Sequence, residues 1–136
     1  MTTKIYVNLP VQDLAATREF WTTVGFTFNE QFSDDNALGM VIDDEAGIYA
    51  MLLTHEFFNS FHNTGIADPS QQREVIVALG VDSRERVDEL VDNAASAGAA
   101  ADEGKDEGFM YGRGFNDLDG HRWEIHWMDL SAVPPQ

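Results

Sequence analysis

The fold of this chain is decided by the stretch YVNLPVQD, which runs from Tyr6 to Asp13. A related stretch, IVALGVDS, runs from Ile76 to Ser83, 70 positions later. Each is typical of a short strand that leads into the N-cap of a helix. Their recurrence indicates two copies of one structural unit, because repeated units pack together when neither buries its apolar face alone.

Helical periodicity follows both stretches. The apolar and small residues at helical spacing are Leu14, Thr17, Phe20, Trp21 and Val24 in the first copy and Val87, Leu90, Val91 and Ala94 in the second. Gly25 and Gly98 stand where a left-handed C-cap is expected. These glycines are 73 positions apart, so the second helix is predicted to be about one turn longer.

The larger offset persists in the turns that end at Gly47 and Gly120, which are also 73 positions apart. Each copy has room for two strands before its turn and one after it. The predicted strands cover residues 26–32, 37–42 and 48–53 in the first copy and 100–103, 109–115 and 122–127 in the second. Each copy is therefore predicted to have the order β-α-β-β-β.

The length of 136 residues predicts a single domain, 1–136. We expect a first module at about 4–56, a linker at about 57–73, a second module at about 74–130 and a frayed tail at 131–136. The predicted fold class is α+β, with two βαβββ modules that form a concave mixed sheet and carry their helices outside. A concave face of strands is a common place for a small-molecule site.

Composition excludes several classes of function. There are 24 acidic and 8 basic residues, a formal net charge of −16, so nucleic acid and anionic membranes are not expected as partners. The chain has no cysteine, which removes disulfides, zinc-thiolate sites and thiol nucleophiles. The sequence lacks a membrane-length apolar run and an apolar N-terminal signal, so we expect a cytoplasmic protein.

Three stretches together resemble one known family. They are VNLPVQDL at 7–14, FWTTVGF at 20–26 and DLDGHRWE at 117–124. The chain resembles the vicinal oxygen chelate superfamily, which includes glyoxalases, bleomycin-resistance proteins and dioxygenases. The stretches FMYGR at 109–113 and WMD at 127–129 are similar to its lactoylglutathione-lyase-like subgroup.

The resemblance implies a divalent metal held by ligands from the first and fourth strands of each copy. The matching positions here are Tyr6, Met51, Ile76 and Glu124. Only Glu124 is a good ligand for a hard cation, because such ions prefer oxygen and imidazole donors. We therefore expect no metal ligand set and no cofactor. The alternative, which the resemblance to the family implies, is a bound divalent metal ion.

Strand alternation places Glu124 and His126 on the same face. The candidate ligand-binding residues are Tyr6, Asn8, Met51, Ile76, Met110, Arg113, Glu124 and His126, with Glu124 also the candidate catalytic residue. Arg113 is considered as an ionic partner for a buried Glu124, because an unpaired buried carboxylate is unfavourable. The same set of positions is also compatible with a core between the two units.

Three functions remain open at this stage. The first is a metal-free, bleomycin-resistance-like protein that binds a small molecule. The second is a metal-dependent lyase or isomerase of the glyoxalase type. The third is a metal-free enzyme in which Glu124 acts as a base beside a carbonyl group. The resemblance also implies a homodimer.

Overall fold

The computed structural model of the protein describes residues 2–132. The chain divides between Asp68 and Pro69 into two compact units. The first unit consists of β1 (Ile5–Val11), α1 (Leu14–Val24), β2 (Thr27–Asn29), a 3-10 turn (Glu30–Phe32), β3 (Ala37–Asp43), β4 (Ile48–Thr54) and α2 (His55–Asn59). The second consists of β5 (Ile76–Gly80), α3 (Arg84–Ser96), β6 (Ala100–Ala101), β7 (Lys105–Asp106), β8 (Met110–Asn116), β9 (Arg122–Met128) and a 3-10 turn (Leu130–Ala132).

Each unit contains one mixed sheet. The first has the strand order β1-β4-β3-β2, with β1 parallel to β4 and the other pairs antiparallel. The second has the order β5-β9-β8-β6, with β5 parallel to β9, and β7 also pairs with β8. The predicted α+β class and the two-fold repetition of the unit are therefore confirmed.

Side-chain caps begin both long helices at the last residue of each repeated stretch. The carboxylate of Asp13 accepts a hydrogen bond from the backbone N–H of Ala16 at 3.0 Å. The hydroxyl of Ser83 accepts one from the N–H of Arg86 at 3.1 Å. Both bonds satisfy an N–H that has no partner inside the helix, which is why these two positions start α1 and α3.

The predicted glycines follow the two helices in the left-handed region, with φ of 125° at Gly25 and 108° at Gly98. The predicted difference of about one turn between the helices is wrong, since α1 has 11 residues and α3 has 13. The offset grows by three residues between the strand and the glycine, and two of them are the extra residues of α3. The third is Ala97, which separates α3 from Gly98, whereas Gly25 follows α1 directly.

Each long helix covers one face of its own sheet. Helix α1 packs on β3 and β4, and α3 packs on β6, β8 and β9. The fully buried side chains at these contacts include Trp21, Met40, Leu52, Leu90, Phe115, Trp123 and Ile125. The predicted core faces of the helices are confirmed. The opposite face of each sheet is not covered by its long helix.

Two predicted strands are shorter in the structure. The strand predicted at 26–32 ends at Asn29, because the Asn29 side chain accepts a hydrogen bond from the N–H of Gln31 at 3.0 Å and starts a 3-10 turn. The strand predicted at 100–103 is replaced by β6 and β7, which a turn at Gly104 separates. Gly104 has φ of 70°, and a Cβ there would overlap the carbonyl of Gly112. Only glycine suits that turn.

The predicted linker and tail also contain short helices. Helix α2 occupies the start of the linker, and the Thr54 hydroxyl caps it by accepting from the N–H of Phe57 at 3.2 Å. The predicted tail begins inside the 3-10 turn Leu130–Ala132, and residues 133–136 lie outside the described residues. In the described part of the chain, the helices are too short or too polar to cross a membrane.

Candidate functional site

The side chains of β9 alternate between the two faces of the second sheet. Trp123 and Ile125 are buried on the face that α3 covers, with 0% and 1% exposure. Glu124 and His126 therefore point to the opposite face, which we call the open face. The prediction that these two residues share a face is thus supported by the burial of their neighbours.

The open face carries a depression of about 660 Å³. Its lining includes Met110, Glu124, His126 and Met128. Met110 lies directly opposite Met128 in the antiparallel pair of β8 and β9. Two flexible thioethers, one carboxylate and one imidazole are thus brought to one surface, which combines apolar and polar contacts as ligand pockets do.

His126 lies between glycines on both neighbouring strands. It is opposite Gly80 on β5 and opposite Gly112 on β8. A Cβ on Gly80 would lie 3.4 Å from the imidazole Nε2, and one on Gly112 would lie 3.5 Å from the His126 Cβ. A side chain at either position would therefore be in van der Waals contact with the histidine. The two glycines therefore leave room around the imidazole.

Glu124 is half exposed, with 47% of its side chain accessible. Its Oε1 lies 3.6 Å from the Nε of Arg122, which is too long for a hydrogen bond. Arg122 makes its short contact elsewhere, with Nη2 donating to the Oδ2 of Asp102 at 2.6 Å. The sequence-based premise of a buried Glu124 is therefore wrong, because the open face leaves this carboxylate in contact with solvent.

Arg113 is not the partner that the sequence suggested for Glu124. Its Nη1 donates to Asp88 at 2.9 Å and to Asp92 at 2.8 Å, both on α3. Strand alternation explains the difference, since position 113 has the opposite parity to Met110 and Gly112 on β8. Part of Arg113 borders the depression, but its guanidinium group is held on the helical side.

The pKa values around Arg113 follow from these contacts. Burial lowers the pKa of Arg113, but the hydrogen bonds to Asp92 and Asp88 outweigh it and raise the pKa overall. The pKa of Asp88 is lowered, first by the hydroxyl of Tyr111, which donates to it at 2.6 Å, and then by Arg113, against burial. The arginine therefore stabilises charged carboxylates of α3.

Gly114 and Asp102 hold Arg122 across the sheet. A Cβ on Gly114 would lie 2.5 Å from the Nη2 of Arg122, so glycine makes space for this guanidinium group. The other carboxylate oxygen of Asp102 accepts from the N–H of Gly114 at 3.0 Å. Although burial opposes it, the pKa of Asp102 is lowered by Arg122 and Gly114.

In the first unit, Tyr6 stacks on Tyr49 at 5.0 Å between ring centroids and 15° between planes. The hydroxyl of Tyr49 donates to Asp44 at 2.6 Å, and this bond, with burial, raises the pKa of Tyr49 to about 12. Tyr6 and Met51 border a smaller cavity of about 180 Å³. Asn8 is exposed, and its side-chain amide donates to the carbonyl of Tyr6 at 3.1 Å.

Strand register tests which positions of the two units correspond. Asn8 is opposite Met51 in the first unit, and Ala78 is opposite Glu124 in the second. These pairs keep the offsets of 70 and 73 found in the sequence. The correspondence of Met51 with Glu124 is therefore supported by register as well as by the repeat.

The donor set does not fit the divalent metal that the family implies. The first unit offers the phenol of Tyr6 and the thioether of Met51, and the second offers Glu124 and the exposed aliphatic side chain of Ile76. Hard cations bind none of these well except the carboxylate. Within residues 2–132, no group of three or more His, Asp or Glu side chains is placed to hold a metal ion.

Sequence reasoning missed three residues of the open face. Arg122 and Met128 share the parity of Glu124, so strand alternation could have found both. Asp102 carried no local signal, because only the pairing of β6 with β8 brings it to Gly114 and Arg122.

Comparison with known proteins identifies relatives of the whole chain. The family model described as Glyoxalase/Bleomycin resistance protein/Dioxygenase superfamily matches residues 5–125. No curated protein matches the sequence significantly. Among solved structures, the hypothetical protein SA1046 from S. aureus is 29% identical, with 93% of this chain and 94% of that chain covered and a TM-score of 0.76.

Two further structures share the fold at lower identity. A glyoxalase/bleomycin resistance protein/dioxygenase family enzyme from Burkholderia phytofirmans PsJN is 22% identical, with coverages of 90% and 96% and a TM-score of 0.71. The fosfomycin resistance protein FosX from Listeria monocytogenes, complexed with Mn(II) and sulfate, is 21% identical, with coverages of 96% and 94% and a TM-score of 0.67. The family model spans most of the sequence, and the chain therefore belongs to the glyoxalase/bleomycin resistance protein/dioxygenase superfamily.

Proposed function

We propose that this protein binds a small molecule on the open face of its second unit and does so without a catalytic metal ion, in the manner of a bleomycin-resistance-like member of the family. The observation that carries the proposal is the depression of about 660 Å³ in which Glu124 and His126 lie beside Met110 and Met128. Its volume falls within the range of small-molecule sites. A few polar groups among apolar ones are the usual lining of such sites.

The metal-free part of the proposal rests on the donor set. Of the four positions that correspond to family ligands, three carry weak donors or none (Tyr6, Met51 and Ile76), and only Glu124 is a good ligand. A single half-exposed carboxylate does not hold a divalent ion tightly in water, since such ions need several oxygen or nitrogen ligands.

Metal content is tested directly on the purified chain. We expect less than stoichiometric nickel, zinc, iron and manganese by elemental analysis after dialysis against a chelator. We also expect no rise in melting temperature on adding these ions, because a ligand that binds only the folded state stabilises it by mass action. About one retained ion per chain would contradict the metal-free part of the proposal. It would not contradict the proposal that a small molecule binds on the open face.

Ligand binding is tested by a thermal-shift screen of small molecules, followed by titration of hits into the wild-type protein and Glu124→Gln. A matched control is Glu45→Gln, which changes a carboxylate in the first unit outside either cavity. Hits that lose affinity with the first variant and keep it with the second support the open face as the site. If both variants bind the hits equally well, the ligand binds at a site other than the open face.

A second candidate is a metal-free lyase or isomerase, favoured by the placement of Glu124 and His126 on one face. In this reaction the Glu124 carboxylate takes the proton from the hydroxyl-bearing carbon next to a carbonyl and returns it to the carbonyl carbon, while the hydroxyl proton of the substrate passes to the carbonyl oxygen. The test is turnover of the methylglyoxal–glutathione adduct, followed by NMR in deuterated water. Turnover that resists chelator and is lost in Glu124→Gln supports this candidate, whereas loss on adding chelator points to a metal enzyme.

We also propose, from the family alone, that the chain forms a homodimer. Sedimentation velocity at micromolar concentration tests this, and a single monomeric boundary would contradict it. The expected cytoplasmic location is tested by cell fractionation.

A further inference from the structure

We infer that the ligand of the open face is an organic cation with an apolar body, and that organic anions are discriminated against. This inference rests on the proposed function, because it names the chemical class that the depression binds. The observations that carry it are the ion pairs of the two arginines that border the depression, the weakly paired carboxylate of Glu124 and the two methionines of the same lining.

The arginines that border the depression are already neutralised. Arg113 contacts the carboxylates of both Asp88 and Asp92 at 2.8–2.9 Å. Arg122 contacts Asp102 at 2.6 Å. An anionic ligand would have to displace these short charge-assisted bonds to gain an arginine partner, which makes the arginines poor receptors for it.

Of the acidic side chains that line the depression, Glu124 is the one that lies on a strand, β9, and makes no short ion pair between described residues. Its one ionic neighbour in the described part of the chain is Arg122, at 3.6 Å, and that guanidinium group has its short contact with Asp102. The side chain is 47% exposed, so a ligand can reach it without a change of fold. An ammonium or amidinium group can therefore replace its water with a charge-assisted hydrogen bond.

The charges on the rim of the depression do not oppose a cationic ligand, and the net charge of the whole chain favours one. Lys105 and Glu107 both border the depression, both are exposed, and no ion pair between described residues involves either. They carry opposite formal charges, so together they add no net charge to the rim. The remaining field is that of a chain with a formal charge of −16, which raises the local concentration of cations and repels anions.

Met110 and Met128 provide the apolar contacts for the ligand. They are directly opposite on neighbouring strands, both are half-buried, and both border the depression. Thioether side chains adapt to irregular apolar shapes and contact aromatic rings favourably. The adjacent Gly112, which is opposite His126, has no side chain to cover this surface, so a ring can contact the methionines beside the imidazole.

The experiment uses three probes that share one bicyclic ring: 2-naphthamidine, 2-naphthamide and 2-naphthoate. Each is titrated into the full chain by calorimetry, and the contact site is mapped by backbone NMR shifts. We expect the amidine to bind about tenfold more tightly than the neutral amide, as one charge-assisted contact implies, and the carboxylate to bind most weakly. The advantage of the amidine should shrink as salt is added.

Two variants connect the result to the residue. Glu124→Gln should reduce amidine affinity by about tenfold and leave amide affinity within about twofold. Glu107→Gln removes a carboxylate from the rim and should change amidine affinity by less than about threefold. Met110→Ala should weaken the amidine and the amide alike, since it removes apolar contact that both probes share.

The outcomes separate this inference from the function on which it rests. Equal or tighter binding of the amide or the carboxylate, with NMR shifts on the open face, would overturn the cationic ligand and keep the binding site. If the amidine binds more tightly and Glu124→Gln does not change this, the preference for a cation comes from the net negative charge of the chain. That result would overturn the role of Glu124. Absence of saturable binding by all three probes would overturn the inference and the proposed site together.

Discussion

The two units have the same plan but different surfaces on the face that the long helix leaves uncovered. At corresponding positions of β4 and β9, the first unit has Tyr49, Met51 and Leu53, and the second has Arg122, Glu124 and His126. One series is aromatic and apolar, whereas the other is charged and polar. The scaffold is thus repeated while the chemistry of this face is not.

Packing explains why the first unit presents less open surface there. Leu53 is only 2% exposed, and α2 packs against β1 and β4. Phe32 lies so close to Gly39 that a Cβ on this glycine would be 3.0 Å from the Phe32 Cβ. In the second unit the corresponding glycine is Gly114, which pairs with Glu124 as Gly39 pairs with Met51, and a Cβ there would meet the Arg122 side chain instead of an aromatic residue. The first unit thus buries apolar side chains such as Leu53 on this face, whereas the second leaves Glu124 about half exposed there.

The largest expected effect on stability comes from Trp123→Ala in the second unit. Trp123 is fully buried, and its Nε1 donates to Asp117 at 3.0 Å, whereas the corresponding residue of the first unit is Ala50. Loss of the indole should lower the free energy of unfolding by about 3–5 kcal/mol. Urea denaturation measures it, and Trp123→Phe should lie between the two proteins. A loss below about 1 kcal/mol would show that the two cores do not differ as described.

The next effect is expected for Arg113→Met, which removes the bonds to Asp88 and Asp92. Because the side chains of Asp88 and Asp92 are 47% and 65% exposed, solvent screening limits the expected loss to about 1 kcal/mol at neutral pH. Binding on the open face should change little, since the guanidinium group lies on the helical side. Arg86→Met, which breaks the exposed pair with Glu89, is the control with a smaller loss.

The pH dependence of that loss has a definite sign. The pKa of Asp88 is lowered in the folded protein, so its contribution to stability is present above the ordinary aspartate pKa and is lost as pH falls through the folded value. The difference between wild type and Arg113→Met should therefore shrink in acid. Urea denaturation at neutral pH and at about pH 3 measures it, and a difference that grows in acid would contradict the ion pairing.

A smaller effect is expected for Tyr49→Phe in the first unit, which removes the bond to Asp44. With the pKa of Tyr49 raised to about 12, the hydroxyl stabilises the fold below the ordinary tyrosine pKa, and this is lost as pH rises through the folded value. Absorbance titration should show a phenol that titrates near pH 12 and that Asp44→Asn returns toward its ordinary value. Ligand binding in the second unit should not change.

The smallest effect on stability is expected for Glu124→Gln. The carboxylate is half exposed and its ionic neighbour is 3.6 Å away, so the free energy of unfolding should change by less than about 0.5 kcal/mol. The same variant should remove most of the cation preference of the open face. A loss of several kcal/mol with binding intact would instead make Glu124 a structural residue.

Local patterns predicted most of the fold. The N-caps at Asp13 and Ser83 and the glycines after both helices follow from short-range hydrogen bonding and from the steric freedom of glycine. Strand alternation also placed Glu124 and His126 on one face. Where the prediction was wrong, as at Asn29, a side chain bonded to a nearby backbone group and competed with the strand.

The sequence by itself determined the repeat, the faces of the strands and the replacement of the family's metal ligands, because these depend on residue identity and on periods of 2.0 and 3.6. Only the tertiary structure decided the partners of the charged groups. Arg113 bonds to α3 and Arg122 to Asp102 because distant segments of chain bring those carboxylates within 3 Å. Ion pairs depend on distance through space, which residue spacing along the chain does not specify.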